Sequence, residues 1–267
     1  MKLSDATRLL AEAGIENARS EARAIFSAIG KIPAAETVGN DPSCDAVDEA
    51  VARRAKREPL QYIIGRVDFY RESYSVSPDC LIPRADTEIL VDYAVKHLPK
   101  GARFIDLCTG SGCVAISTLR NTEATTALAV DLSDGALRQA RLNAEQNGVP
   151  DRCEFIKADV LSETQDGTFH AVLSNPPYVR DSVYETLEPE IFFEPKMAFV
   201  GGEDGLDFYK KILELYKDKL TPGGFFAFEI GYDQRCDLFA LAELHDMSCV
   251  IIKDLSGNDR VAVLTRR

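Results

Sequence analysis

Phe104-Ile105-Asp106-Leu107-Cys108-Thr109-Gly110-Ser111-Gly112-Cys113 is an apolar strand that runs into a glycine loop and then a helix. Gly110 and Gly112 let the backbone turn tightly and approach a ligand at the carboxyl end of a strand, where open α/β sheets bind their ligands. Asp131 closes the next strand, 19 residues after Gly112. There its carboxylate can accept hydrogen bonds from both hydroxyls of a ribose. A bare turn would need only the glycine pair, and two ligands compete with it. Gly110-x-Gly112-x-x-Ala115 satisfies the dinucleotide pattern G-x-G-x-x-A. Asp106 ahead of the glycines instead fits the D/E-x-G-x-G-x-G loop of S-adenosylmethionine sites, with Cys108 in place of the first glycine. The loop alone divides evenly between them.

Outward from this loop, strand and helix alternate. The pattern predicts strands at 103–107, 125–130, 153–157, 169–173, 224–230, 249–254 and 260–265. Helices fit at 87–97, 113–120, 134–146, 206–219 and 234–244, with Ser133 as N-cap of the third and Asn147-Gly148 as its stop. Repeated strand–helix units give an α/β fold around a seven-stranded, mostly parallel sheet covered on both faces. Residues 255–259 alone separate the last two strands, with Gly257-Asn258 among them, so the sheet ends in an antiparallel hairpin.

The first 58 residues read as helix. Ala6, Leu9, Leu10 and Ala13, then Ala22, Ile25, Phe26 and Ile29, recur at three-to-four spacing, and a third helix runs from about Asp45 to Lys56. Gly14 and Gly30 with Pro33 supply stops between them. Over 59–83, Tyr62-Ile63-Ile64, Phe69-Tyr70, Tyr74 and Val76 are β-rich and broken by Gly65 and Asp68. That texture predicts a hairpin linking the helical domain, 1–58, to a sheet domain over 84–267.

Composition bounds the partners. The 267 residues are 45% apolar and 28% charged, which excludes a disordered chain. No apolar run approaches a membrane span and the polar N-terminus is no signal peptide, so the expected location is cytoplasmic, with no membrane partner. With 31 basic against 43 acidic residues the net charge is −12, which argues against a direct nucleic-acid partner gripped along its backbone. The stretch to Ser77 nets −1, so nearly all of the excess lies beyond it, as in two units with different partners. Seven cysteines, at 44, 80, 108, 113, 153, 236 and 249, form no C-x-x-C pair, and the histidines at 97, 170 and 245 are scattered. Reduced thiols and no metal are expected, and a monomer is the default.

The chemistry is decided further along. Phe169-His170-Ala171-Val172-Leu173-Ser174 is a buried strand that runs straight into Asn175-Pro176-Pro177-Tyr178. Asn-Pro and Pro-Pro mark ordinary turns, but this one ends the fourth strand of the series, beside the first, where the sheet order should switch and a ligand crevice open. Methyl transfer to an amide nitrogen needs a delocalised lone pair rehybridised, aimed and relieved of positive charge. Two fixed acceptors on the N–H groups would do this: the side-chain oxygen of Asn175 and the carbonyl of Pro176, held rigid with Pro177. Tyr178 can pack against the flat amide. This is positioning plus preorganised dipoles, with no covalent intermediate. A hydride-transfer enzyme has no use for the tetrapeptide, which settles the loop in favour of S-adenosylmethionine.

Asn-Pro-Pro-Tyr is shared by methyltransferases acting on planar NH2 groups of DNA adenine, DNA cytosine and protein glutamine. The flanking segments choose among them. Pro59-Leu60-Gln61-Tyr62-Ile63-Ile64-Gly65 with Phe69, and Leu81-Ile82-Pro83-Arg84-Ala85-Asp86-Thr87-Glu88, resemble the segments before the catalytic domain in the HemK/PrmC family. So do Glu194-Pro195, Gly201-Gly202-Glu203-Asp204-Gly205-Leu206-Asp207-Phe208-Tyr209, Glu229-Ile230-Gly231 and Asp254-Leu255-Ser256-Gly257-Asn258-Asp259-Arg260-Val261. The resemblance implies a Rossmann-like methyltransferase fold and methylation of the glutamine amide in the Gly-Gly-Gln motif of peptide chain release factors. By position, Asn175, Pro176, Pro177 and Tyr178 would hold that amide. Cys108, Thr109, Gly110, Ser111, Gly112, Asp131, Asp159, Val160 and Asn175 would hold the cofactor, Arg84 would close its pocket, and the helical domain would grip the release factor. An adenine-specific DNA methyltransferase would share Asn175–Tyr178, but it must also engage phosphates and extrude a base. Here Arg53–Arg57 is the one basic run, and tryptophan is absent. A non-catalytic cofactor-binding module would not need the intact acceptor motif.

Overall fold

The computed structural model describes residues 1–31, 45–123 and 125–267; Pro33 and Cys44 lie outside the described residues. The chain divides into two compact units, Met1–Arg66 with Glu188–Phe193, and Val67–Leu187 with Glu194–Arg267.

The first unit holds helices α1 (Leu3–Glu12), α2 (Ala18–Ala28), α3 (Asp45–Ala55) and the single turn α4 (Leu60–Ile64). Ala6, Leu10, Ala22, Ile25, Phe26, Val47, Val51 and Ile63 form its core, while Leu9 is 38% exposed at the edge of the apolar stripe. The β-rich reading of Tyr62-Ile63-Ile64 is corrected: these residues are helical. Pro59 starts the turn, the Gly65 N–H donates to the Gln61 carbonyl at 2.7 Å, and Gly65 ends it at φ 79°. Burial of Ile63 in the helical core outweighs its β propensity, which is a packing preference and yields to context. The hairpin is correspondingly shorter, β1 (Arg66–Phe69) and β2 (Glu72–Ser75).

The second unit is built on α5 (Glu88–His97), β3 (Arg103–Leu107), α6 (Cys113–Arg120), β4 (Thr126–Asp131), α7 (Asp134–Gln146), β5 (Cys153–Lys157), β6 (Phe169–Ser174), the short α8 (Asp181–Tyr184), α9 (Asp207–Tyr216), β7 (Leu220–Glu229), α10 (Arg235–Leu244), β8 (Met247–Lys253) and β9 (Asp259–Arg266). The sheet order is β5-β4-β3-β6-β7-β9-β8. β9 runs antiparallel to β7 and β8, so the antiparallel strand sits one place inside the edge that β8 forms. Central strands are near-continuous apolar runs because both faces are covered. Ile105, Leu107, Val172, Phe226 and Phe228 pack on one face beside Ile212 and Leu238, and Phe104, Ala127, Ala171 and Ala227 on the other beside Leu90 and Leu119. β3 and β6 are neighbours, Leu107 opposite Ser174. Chain order reverses between them, and the glycine loop and the Asn-Pro-Pro-Tyr segment leave the sheet side by side. No helix among the described residues is long and apolar enough to cross a membrane.

Candidate functional site

The glycine loop is shaped from within. Cys108 takes φ 61°, the left-handed region that glycine enters freely, and Gly110 and Gly112 follow at 55° and 81°. A Cβ on Gly112 would stand 2.9 Å from Ile116 Cδ1 and 3.1 Å from Ala140 Cβ, so glycine there lets α6 and α7 close up. Asp106 is buried: its Oδ2 accepts from Thr109 Oγ1 at 2.6 Å and from the Ala115 N–H at 3.2 Å. It braces the loop and does not line the cavity.

Asp131 is tied to the loop it faces. Its Oδ2 accepts from the Gly110 N–H at 2.8 Å and its Oδ1 from the Ser133 N–H at 2.9 Å, which leaves lone pairs on both oxygens. Burial raises its pKa above the ordinary carboxylate range, and those backbone donors pull it back.

Over the carboxyl ends of β3, β4, β5 and β6 lies a cavity of about 340 Å³, within the size range of small-molecule sites. Cys108, Gly110, Asp131, Asp159, Val160, Asn175 and Pro177 line it, all predicted from sequence. Among the described residues its charged lining is Asp79, Asp131, Asp159 and Asp207, with no lysine, arginine or histidine. Such a wall suits a ligand with positive centres and repels the pyrophosphate of a dinucleotide. Val160, Leu161, Met197 and Phe208 add apolar surface for a flat ring. The donor set thus fits S-adenosylmethionine, with its ribose, adenine, sulfonium and ammonium. Asp159 accepts from the Leu161 N–H at 2.9 Å and from Ser162 Oγ at 3.0 Å, and so is held at the rim.

A recess of about 30 Å³ adjoins the cavity, lined by Arg84, Thr109, Ser111, Thr87 and Asn175 among others, and shares Leu81, Cys108, Gly110 and Asn175 with it. Among the described residues Arg84 is its one basic residue, and it is ion-paired to Glu194, whose Oε2 accepts from the Ile82 N–H at 2.9 Å. Gly112, Pro176 and Tyr178 line neither space.

The acceptor segment is clamped from behind. Pro176 and Pro177 are buried, and a Cβ on Gly201 would sit 2.4 Å from the Pro177 carbonyl oxygen, so the glycine segment packs backbone to backbone against it. Asn175 Nδ2 donates to Thr87 Oγ1 at 3.2 Å, and Thr87 Oγ1 donates to Glu229 Oε2 at 2.5 Å. Tyr178 OH donates to Glu229 Oε1 at 3.1 Å. Burial raises the pKa of both Glu229 and Tyr178. Thr87 and Glu229 were not among the predicted site residues. Both lie inside the segments that carried the family resemblance, which was the available signal.

Residues 85–197 match the family described as methyltransferase small domain, and residues 2–65 match the PrmC N-terminal domain. The release factor glutamine methyltransferase of Geobacter sulfurreducens is 36% identical over 269 residues, covering 97% of this chain and 94% of that one. Its counterpart in Caulobacter vibrioides is 36% identical over 265 residues, covering 95% and 91%. A ribosomal protein L11 methylase from Lactobacillus delbrueckii subsp. bulgaricus overlays with a TM-score of 0.53 at 18% identity, covering 69% of this chain and 80% of that one, a likeness of fold. With 36% identity sustained along almost its entire length, the chain belongs to the release factor glutamine methyltransferase family.

Proposed function

We propose that this enzyme transfers the methyl group of S-adenosylmethionine to the side-chain amide nitrogen of the glutamine in the Gly-Gly-Gln motif of peptide chain release factors. The observation that carries the proposal is the place of Asn175, at the switch point of the sheet and on the wall shared by the acidic cavity and its recess. The names of the full-length relatives support the same acceptor. When bound, S-adenosylmethionine supplies an electrophilic methyl group on a sulfonium sulfur.

The residues divide the work. Asp131 would accept from the ribose hydroxyls, Asp159 and Val160 would border the adenine, and the 108–112 loop would run beneath the sulfonium side. Arg84 would face the carboxylate end from the recess. On the acceptor side, Asn175 Oδ1 and the Pro176 carbonyl would each accept one N–H of the glutamine amide. Those two bonds fix the amide plane and stabilise the positive charge that nitrogen gains as it is alkylated, at positions set before the substrate arrives. Tyr178 supports this wall from behind, through Glu229. The helical unit would dock the release factor away from its tip. A substrate of translation termination puts this work in the cytoplasm.

Radiolabelled cofactor is offered with a release factor, with the same factor carrying a substituted tripeptide glutamine, and with duplex DNA. Label should enter the first alone. Label on DNA, or on both factors equally, would sink the proposal. In the same assay Asn175→Ala should lose transfer by 100-fold or more, on the order of the loss of one transition-state hydrogen bond, while cofactor affinity falls only modestly.

A further inference from the structure

We infer that Glu229 and Thr87 are positioning residues: through an ordered pair of hydrogen bonds they fix which atom of the Asn175 amide faces the acceptor. The inference rests on the acceptor role given to Asn175 above.

An asparagine side chain can present either its oxygen or its NH2 group, and the two rotamers are nearly the same shape. Only the oxygen can hold a substrate N–H. What selects it is the hydrogen count behind Asn175. Glu229 is fully buried and accepts on both oxygens, from Tyr178 at one and from Thr87 at the other. A carboxylate has no hydrogen to give, so the single hydrogen of Thr87 is committed to it. Thr87 Oγ1, 1% exposed, can then only accept, and its neighbour must be a donor, Asn175 Nδ2 at 3.2 Å. The flipped amide would set Oδ1 against Thr87 Oγ1 with no hydrogen between them, at a buried position where an unmade bond is expensive. Oδ1 is therefore left for the cavity side.

Arg260 bears on the same carboxyl, whose pKa burial raises. Its charge favours the ionised form of Glu229, against the burial that opposes it. Arg260 is itself fixed by Asp86 Oδ2 at 3.1 Å and Asp254 Oδ2 at 3.2 Å. Asp86-Thr87, Glu229 and Asp254–Arg260, three separate segments of the sequence, thus converge on one amide.

Glu229→Gln tests this with almost no change of shape. A glutamine can donate to Thr87 Oγ1, which frees the Thr87 hydrogen to point at Asn175 and lets the amide turn over. Transfer to the release factor should fall by 100-fold or more in kcat, on the scale of losing an oriented transition-state dipole, with cofactor Kd within about threefold of wild type. Binding should also lose its polarity. Wild type should prefer the factor with glutamine in the tripeptide over the factor with glutamate there, and Glu229→Gln should shrink that preference by at least about tenfold, since an NH2 group now faces the acceptor. Thr87→Val should match the loss in kcat, and Thr87→Ser, which keeps the hydroxyl, should stay within about threefold of wild type. A Glu229→Gln enzyme with wild-type kcat and preference overturns the inference, as does a Thr87→Ser enzyme no better than Thr87→Val. In both cases wild type still labels the factor. A wild type that labels duplex DNA instead overturns the functional proposal, and the inference with it.

Discussion

Asp106 braces the glycine loop with one oxygen and leaves the other, Oδ1, buried without a hydrogen-bond partner. Burial is the main reason its pKa is pushed up to about 7, with donors from Thr109 and Ala115 opposing and the charge of Asp131 adding. The folded state therefore holds a proton that the unfolded chain releases near pH 4, and stability is lost as pH rises from about 4 to 7, by at most about 1.4 kcal/mol per unit. Asp106→Asn, neutral at every pH, should remove that slope. Urea unfolding of the enzyme without cofactor at pH 5 and pH 8 measures it, and equal pH dependence in the two proteins would show that Asp106 is ionised throughout. Sequence marked Asp106 as part of the loop, through its place ahead of the glycines, but not as a brace that stays out of the cavity lining. Thr87 and Glu229 were harder to read: they stand 142 residues apart, and a shared hydrogen bond at that separation exists only once the sheet has formed.

At the level of elements, the strands and helices of the sheet unit were legible because parallel strands covered on both faces must be apolar, and their caps are local. The hairpin was legible only in part. What seats β2 is tertiary: Tyr74 OH shares a 2.6 Å bond with Ser117 Oγ, Ser117 Oγ donates to Glu72 Oε2 at 2.8 Å, and Asn143 on α7 joins the hairpin to the glycine loop. Asn143, fully buried, donates to the Ser111 carbonyl at 2.9 Å and the Ser75 carbonyl at 3.1 Å, and accepts from the Ser75 N–H at 2.9 Å. A polar residue in the middle of a helix gives no hint from sequence of which loop it serves. Asn143→Ala would take the partner from one buried backbone group, the Ser111 carbonyl, and from two half-buried ones on Ser75, and should destabilise the enzyme by roughly 1–3 kcal/mol. Because one of those groups belongs to the loop at Ser111, cofactor affinity should fall as well. Thermal unfolding and calorimetric titration of S-adenosylmethionine measure the two effects. A destabilised variant with wild-type affinity would mean that Asn143 serves the hairpin alone.

Across the whole molecule, the chain passes between its units more than once: Glu188–Phe193 belongs with the helices, although Leu187 and Glu194 on either side belong with the sheet. In sequence the excursion lies between Val179, just beyond the acceptor segment, and Val200, which a parallel bridge pairs. The near-neutral start of the chain gave no sign of this return, because one glutamate in an acidic stretch looks like any other. Glu190 marks it. Its oxygens pair with Arg54 Nη1 at 3.0 Å and Arg57 Nη2 at 2.8 Å, and Arg54, 6% exposed, also pairs with Glu21 at 2.5 Å. A guanidinium so buried depends on both carboxylates, since removing one partner leaves charge that water cannot reach. Glu190→Gln should therefore weaken the helical unit by about 1.5–3 kcal/mol, and amide hydrogen exchange should quicken in 188–193 and in α3. The cofactor site draws all its lining from the sheet unit, so S-adenosylmethionine affinity should stay at the wild-type value while KM for the release factor rises. A parallel loss of cofactor affinity would show instead that the two cores unfold as one cooperative body. Unchanged exchange in 188–193 would show that Glu190 does not hold the segment.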